Sequence, residues 1–186
     1  AHPALVVMLV LTQLSVGTFA AEYALQQWGA PDVGDVSRSR AYQVTGALVV
    51  AILALGASTL HLGRPQYAYR AVLGLMHSWL SREIVCFGLF ALLAGIYAFR
   101  LWQLAGPTDA IERILGGGVS LVGLAGVCCS VMIYQSTRRP CWKGVPTAIR
   151  FLLTTVVLGL GGSMLLLLAA SAVEGRNAAH RVMPVF

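Results

Sequence analysis

Two side chains that exchange protons stand at either end of one connection between apolar segments. His61 ends the apolar run TGALVVAILALGASTL, and Glu83 follows SWLSR at the start of the next apolar run. Gly63 and Pro65 favour a turn just after the histidine, which lets the connection fold back over the gap between the two helices. Because both ends lie at one membrane surface, we expect the imidazole and the carboxylate to face a shared crevice.

A pair of this kind suits the headgroup of a quinone. The headgroup needs a hydrogen-bond partner for each oxygen, groups that take up or release protons, and an apolar slot for ring and tail. Taken singly, each residue also has a simpler explanation, since a histidine at a helix end can bond at the interface and a glutamate in a first turn favours the helix dipole. The predicted quinone site comprises His61, Gly63, Arg64, Pro65, Tyr67 and Glu83.

The histidines and cysteines lack the patterns of haem, cluster or metal sites. Transmembrane haem takes axial histidines from within helices, whereas all four histidines here lie near the chain ends or in connections. The four cysteines include no CxxC pair. We therefore expect no haem, no iron–sulfur cluster, no metal ligand and no residue that is catalytic for a terminal substrate. Gln13 could line a cavity, although single polar residues in a span more often bond a neighbouring helix.

Composition places the chain in a membrane. It is 58% hydrophobic and 11% charged, with a mean hydropathy of +0.77, so it has too little polar surface for a soluble globule. The apolar runs are about twenty residues long without an alternating period, which predicts an all-α, polytopic transmembrane bundle rather than a barrel. The predicted spans are Ala4–Gln26, Tyr42–Leu60, Glu83–Trp102, Ile114–Tyr134 and Thr147–Val173.

The whole chain, residues 1–186, is predicted to be one integral membrane domain without an extramembrane part. The first span has no Lys/Arg-rich leader and is expected to be retained. The tail RNAAHRVMPVF looks like the approach to a sixth helix, so the domain is expected to be incomplete at its C-terminus.

Charge is distributed unequally between the two surfaces. Seven of the 13 Lys and Arg residues but only one of the seven acids fall on the side of the second and fourth connections. This basic side is expected to be cytoplasmic and to bind either anionic lipid or an acidic soluble partner. Aromatic residues among the arginines favour a protein partner. The predicted docking residues are Arg70, Arg138, Arg139, Trp142 and Lys143.

Three segments resemble a known family: HPALVVMLVLTQLSVGTF, STLHLGRPQYAYRAVLGLMHSWLSREI and VMIYQSTRRPCWKGVPTAIRFLLTTVVLGLGG. They are similar to the membrane-anchor subunit (DmsC-type) of dimethyl sulfoxide reductase and related complex iron–sulfur molybdoenzymes, and HLGxP followed by SxEI is the most specific part. The resemblance implies a complex with a molybdopterin catalytic subunit and a four-cluster iron–sulfur subunit in a bacterial cytoplasmic membrane. It also implies exchange of electrons with menaquinone or ubiquinone, with His61 and Glu83 at the quinol site.

The chain departs from the family in two respects. Family anchors have about eight helices, and the reductase has a basic residue where Tyr67 stands and a small polar residue where Arg64 stands. The resemblance therefore leaves open whether the complex oxidises menaquinol, as the sulfoxide reductase does, or reduces quinone, as sulfite-oxidising relatives do.

Two other functions compete with quinone binding. A purely structural anchor would only dock the partner subunits. A small-solute transporter would need inverted repeats and charges near the middle of its helices. We find no internal repeat and expect no charge inside spans two, four and five beyond Arg150 at the start of the fifth.

Overall fold

The computed structural model describes residues 3–28, 34–61, 74–103, 109–136 and 144–182. These ranges form the all-helical bundle that the sequence predicts. Its helices are α1 (Pro3–Gln27), α2 (Gly34–His61), α3 (Trp79–Gln103), α4 (Ala110–Ser136) and α5 (Val145–Val182). All five are long and apolar enough to cross a membrane.

The helix α3 begins one turn earlier than predicted. Ser78 precedes its first residue, Trp79, and the Ser78 hydroxyl accepts a hydrogen bond of 3.4 Å from the Ser81 amide, as an N-cap residue does. Glu83 therefore lies in the second turn, and the first turn contains no acidic residue. The prediction that Glu83 opens the helix was wrong, so the helix dipole does not explain this carboxylate.

The helix α4 also begins before its predicted start. Asp109 caps it by accepting a hydrogen bond of 2.8 Å from the Glu112 amide, and Arg100 at the end of α3 pairs with the same carboxylate. The bond from the Glu112 amide, with the Arg100 guanidinium, lowers the pKa of Asp109 below its ordinary value. One acidic residue thus joins the end of α3 to the start of α4.

These earlier starts change where two charges lie. α2 begins at Gly34, so Arg40 is inside that helix, and Glu112 is inside α4; both side chains are buried. The prediction that the second and fourth spans contain no charge was therefore wrong. The first turns of both helices contain polar residues, which lower their mean hydropathy. The predicted spans therefore began after these turns.

The helices alternate in direction, and α1 is central, packing against α2, α4 and α5. α3 packs against α4 and α2. We call the end where α2 finishes and α3 starts the His61 end, and the opposite end the Arg40 end. The outward faces carry large apolar side chains such as Leu92, Leu121 and Leu153, at least 60% exposed, a surface suited to lipid.

A glycine pair brings α1 and α5 into close contact. A Cβ atom added to Gly159 would lie 2.3 Å from the backbone carbonyl carbon of Gly17, and one added to Gly17 would lie 2.1 Å from the Thr155 carbonyl oxygen. The obstructing atoms belong to backbone, which cannot rotate away as a side chain can. Close approach at small residues is the usual way in which membrane helices gain packing energy.

We expect Gly159→Ala to weaken the α1–α5 contact by about 1–3 kcal/mol, the usual cost of overpacking a tight interface. The matched control is Gly161→Ala, because an added Cβ there meets nothing within 4 Å. Thermal unfolding in detergent, followed by circular dichroism, should show a lower midpoint for Gly159→Ala alone. Equal midpoints for the two variants would contradict the contact.

Candidate functional site

A cavity of about 520 Å³ lies at the His61 end, between α1, α2, α3 and α4. Its polar lining consists of Thr12, Ser58, Thr59, Glu83 and Tyr134. The remaining wall is apolar and is made by Leu5, Met8, Leu9, Leu55, Leu80, Ile84, Phe87 and Ile133. A largely apolar space with a few converging polar groups is typical of a small-molecule site.

Among the described residues, Glu83 is the one carboxylate in the lining of this cavity, and its side chain is 5% exposed. It shares the inner face of α3 with Phe87 and Phe90, which follow at helical spacing and are also buried. The apolar period of α3 therefore turns the glutamate inward. A carboxylate at the wall of an apolar cavity is well placed to take a proton from a bound ligand.

Ser130 on α4 holds this carboxylate. Its hydroxyl donates to Glu83 Oε1, and the Gly126 carbonyl oxygen lies 3.3 Å from the same hydroxyl. One hydroxyl has one proton to donate. Ser130 can therefore orient Glu83, and it can turn to the carbonyl when the carboxyl group is protonated.

The last turn of α2 reaches the same cavity. Ser58 and Thr59 line it, and His61 ends the helix two residues later. The backbone position of His61 is thus close to the cavity, while its side chain lies outside the described residues. That the imidazole and the Glu83 carboxylate face each other stays a prediction.

The other predicted site residues fall in connections that the structure does not describe. They are Gly63, Arg64, Pro65, Tyr67 and Arg70 in the second connection and Arg138, Arg139, Trp142 and Lys143 in the fourth. Their roles in quinone binding and docking stay predictions.

Arg82 has a structural role beside the cavity. Its guanidinium donates to the carbonyl oxygens of Leu75 and Met76 at 2.8 and 3.3 Å, and it stacks over Trp79 at 4.3 Å. Both carbonyls belong to the turn that leads into α3. The arginine therefore fixes this turn, and Leu80, one residue beyond Trp79, contributes to the cavity wall.

A second polar cluster, absent from the sequence-based predictions, lies inside the Arg40 end. Arg40 Nε donates to Glu22 Oε1 at 3.0 Å, and the Tyr97 hydroxyl lies 3.1 Å from both oxygens of this carboxylate. Gln26 donates to the Tyr97 hydroxyl at 2.7 Å, and Glu112 Oε2 lies 4.0 Å from the Arg40 guanidinium. Residues from four helices thus meet at one charged cluster, which we call the Arg40 cluster.

Burial sets this cluster apart from ordinary surface ion pairs. Glu22 and Glu112 are each 2% exposed, and Tyr97 is fully buried. The spacing of Glu22 and Gln26, four residues apart on the buried face of α1, was a signal that the sequence offered. Their proximity to Arg40 and Tyr97 depends on helix packing, which no sequence period reveals.

The sequence is similar to known membrane anchors over nearly its whole length. The family model described as DMSO reductase anchor subunit (DmsC) matches residues 2–185. The C subunit of sulfite dehydrogenase from Allochromatium vinosum is 30% identical over 188 aligned positions, which cover 94% of this chain and 57% of that protein. The C chain of anaerobic dimethyl sulfoxide reductase from Haemophilus influenzae is 30% identical over 125 positions, covering 65% of this chain and 44% of that protein. The sequence thus spans about half the length of these curated relatives, and no solved structure is significantly similar to it.

We expect Arg40→Met to destabilise the bundle by about 3–5 kcal/mol, because it leaves the Glu22 carboxylate buried without its cation. Arg38→Met is the matched control, since Arg38 is exposed on the same helix turn. Thermal unfolding of the two variants in detergent measures the difference. Adding Glu22→Gln to Arg40→Met should recover part of the loss, whereas equal effects of the two arginine variants would refute a stabilising cluster.

Proposed function

Since the chain belongs to the DMSO reductase anchor subunit (DmsC) family, we propose that it anchors a molybdopterin iron–sulfur oxidoreductase to the bacterial cytoplasmic membrane and binds quinone at Glu83. Electrons then pass between the quinone pool and the docked iron–sulfur subunit. The proposal extends to the basic connections, with Arg70, Arg138, Arg139, Trp142 and Lys143 as docking residues on the cytoplasmic side.

One observation carries the quinone site: a buried carboxylate lines an apolar cavity at the end of α2 that terminates in His61. The volume of about 520 Å³ lies in the range of small-ligand sites. Leucine and phenylalanine side chains suit a ring and an isoprenoid tail, while the carboxylate and the hydroxyls suit the polar ring oxygens. The donor set therefore fits a quinone headgroup.

Three residues of the chain, Glu83, Ser130 and His61, have separate roles in the proton chemistry. When bound, the quinone supplies the exchange of two electrons and two protons. Glu83 accepts or returns one proton at its carboxylate, Ser130 orients that carboxylate, and His61 exchanges the other proton or holds the headgroup. The apolar wall keeps bulk water away from the ring.

The names of the two relatives imply opposite directions of electron flow. A sulfite dehydrogenase takes electrons from its substrate and would feed them to quinone, whereas a dimethyl sulfoxide reductase consumes electrons and would draw them from quinol. The same carboxylate and imidazole serve both directions, because a group that accepts a proton in one direction returns it in the other. The proposal therefore covers both, and the terminal substrate depends on the catalytic subunit.

We expect His61→Ala in the assembled complex to abolish quinone-coupled turnover while activity with an artificial dye is kept. The physical reason is loss of a proton-exchanging group at the headgroup, typically worth about 10²–10⁴-fold in rate. His77→Ala is the matched control, because His77 is an exposed histidine on the same connection. Equal quinone kinetics in the two variants would exclude His61 from the site.

For Glu83→Gln we expect quinol oxidation to become slow and to lose its dependence on pH. A carboxyl group that is already protonated cannot accept the quinol proton, so native turnover should fall as the pH is lowered. The glutamine amide does not titrate, so the variant should lose this fall in rate at low pH. Initial rates across a pH series, with dye-coupled activity as the control, measure the change.

An unaltered pH profile in Glu83→Gln would remove this carboxylate from proton transfer. Failure of the purified complex to retain any quinone would favour a purely structural anchor instead.

A further inference from the structure

Polar side chains follow the inner face of α1 from the cavity to the Arg40 cluster. Thr12 lines the cavity, Ser15 follows one turn later, and Glu22 and Gln26 belong to the cluster. All but the partly exposed Gln26 are buried. Thr12 and Glu22 are about 15 Å apart along the helix axis, at 1.5 Å per residue.

On the inner face of α1, the apolar Phe19 lies between Ser15 and the Arg40 cluster. At this level of the bundle α2 supplies the polar groups. The Ser15 hydroxyl donates to the Ala47 carbonyl oxygen at 2.7 Å, which joins the two helices. Gln43 lies one turn from Ala47 on α2, and Arg40 lies almost one turn further on. Gln43, 1% exposed, thus stands between Ser15 and the Arg40 cluster.

Two buried amides on or beside this line have atoms without a hydrogen-bond partner among the described residues. They are the side-chain oxygen of Gln13, next to Thr12, and the side-chain nitrogen of Gln43. The two side chains are 7% and 1% exposed. An unmet amide atom in an apolar interior costs several kcal/mol, and ordered water between polar groups is the usual solution.

We propose that a hydrated proton path runs inside the bundle from the cavity at Glu83, past Thr12 and Gln43, to the Arg40 cluster inside the opposite end. The proposal rests on the proposed quinone site, because quinol is the source of the protons. Each quinol that is oxidised gives two electrons to the docked iron–sulfur subunit and two protons to the protein. The path carries protons alone, from the Glu83 carboxyl group through water and hydroxyl groups towards Glu22 and the aqueous phase beyond.

The side on which protons emerge tests the path. The purified complex is placed in liposomes that contain quinol and an internal pH dye, and an impermeant dye outside accepts electrons from outward-facing docked subunits. The proposal predicts acidification of the lumen, on the side opposite the docked subunits. Turnover that depends on Glu83 but acidifies only the outside would overturn the path while leaving the quinone site intact. Absence of any Glu83-dependent turnover would refute the quinone site itself.

Gln43→Leu keeps the volume of the side chain and removes its polar atoms. We expect lumen acidification to be lost and quinol turnover to fall at least about tenfold, since proton transfer then limits the rate. Activity measured between the docked subunit and dyes should not change. Unchanged lumen acidification in this variant would overturn the assignment of Gln43.

A pair of threonine variants separates the path from general packing. The Thr12 and Thr154 hydroxyls each donate to the carbonyl oxygen four residues earlier, at 2.9 and 2.7 Å, but Thr12 lines the cavity and Thr154 is exposed on α5. Thr12→Val should reduce lumen acidification per electron, and Thr154→Val should leave it unchanged. Equal proton yields in both variants would exclude Thr12 from the path.

Discussion

The need to satisfy polar groups within the bundle governs this structure. Lipid offers no hydrogen bonds, so each polar side chain that α1 turns inward must find its partner in the protein. Ser15 finds a carbonyl group of α2, Glu22 finds Arg40 and Tyr97, and Ser120 of α4 donates to the Phe19 carbonyl oxygen at 3.2 Å. These bonds join α1 to α2, α3 and α4, so the central helix fixes the register of its neighbours.

The buried carboxylates at the two ends of the bundle have different hydrogen-bond partners. At the Arg40 end, Glu22 has a guanidinium and a phenol hydroxyl within 3.1 Å, which compensate its charge. At the His61 end, the hydroxyl of Ser130 is the neutral donor to Glu83, beside a cavity. A carboxylate paired with a cation is suited to stability, because the guanidinium compensates its charge. A carboxylate whose donor among the described residues is a hydroxyl is suited to exchanging a proton with a ligand.

Hydropathy predicted the five spans and the helical class, because a single long apolar run in a bilayer must form a helix to satisfy its backbone hydrogen bonds. It misplaced the starts of α3 and α4, where Ser78 and Asp109 are caps that a capping rule would have found. The candidate site was predicted only in part. Glu83 was found from its residue type and position. Thr12 lines the same cavity and Ser130 donates to Glu83 because of helix packing, which a single sequence does not encode in any short pattern.

Charge counting failed for a related reason. Arg40 and Glu22 were counted among the charges of one membrane face, yet both are buried and paired. A surface assignment treats each charge alone, and only tertiary contact distinguishes a solvated arginine such as Arg38 from a buried one two residues later. The net charge inferred for each membrane face is correspondingly less informative than the positions of the individual charges.

The helix α5 affects the candidate site indirectly. Among the described residues, the cavity wall is built by α1 to α4. α5 meets α1 at the contact of Gly17, which lies two residues after Ser15 and five after Thr12. Most of the outer face of α5 is exposed and apolar, so changes there alter the surroundings of the bundle rather than its interior. Changes at Gly17 or Gly159 would instead displace α1, and with it the polar line that joins the two carboxylate sites. The position of α1 at the site therefore depends on Gly17 and Gly159, two residues that have no side chain.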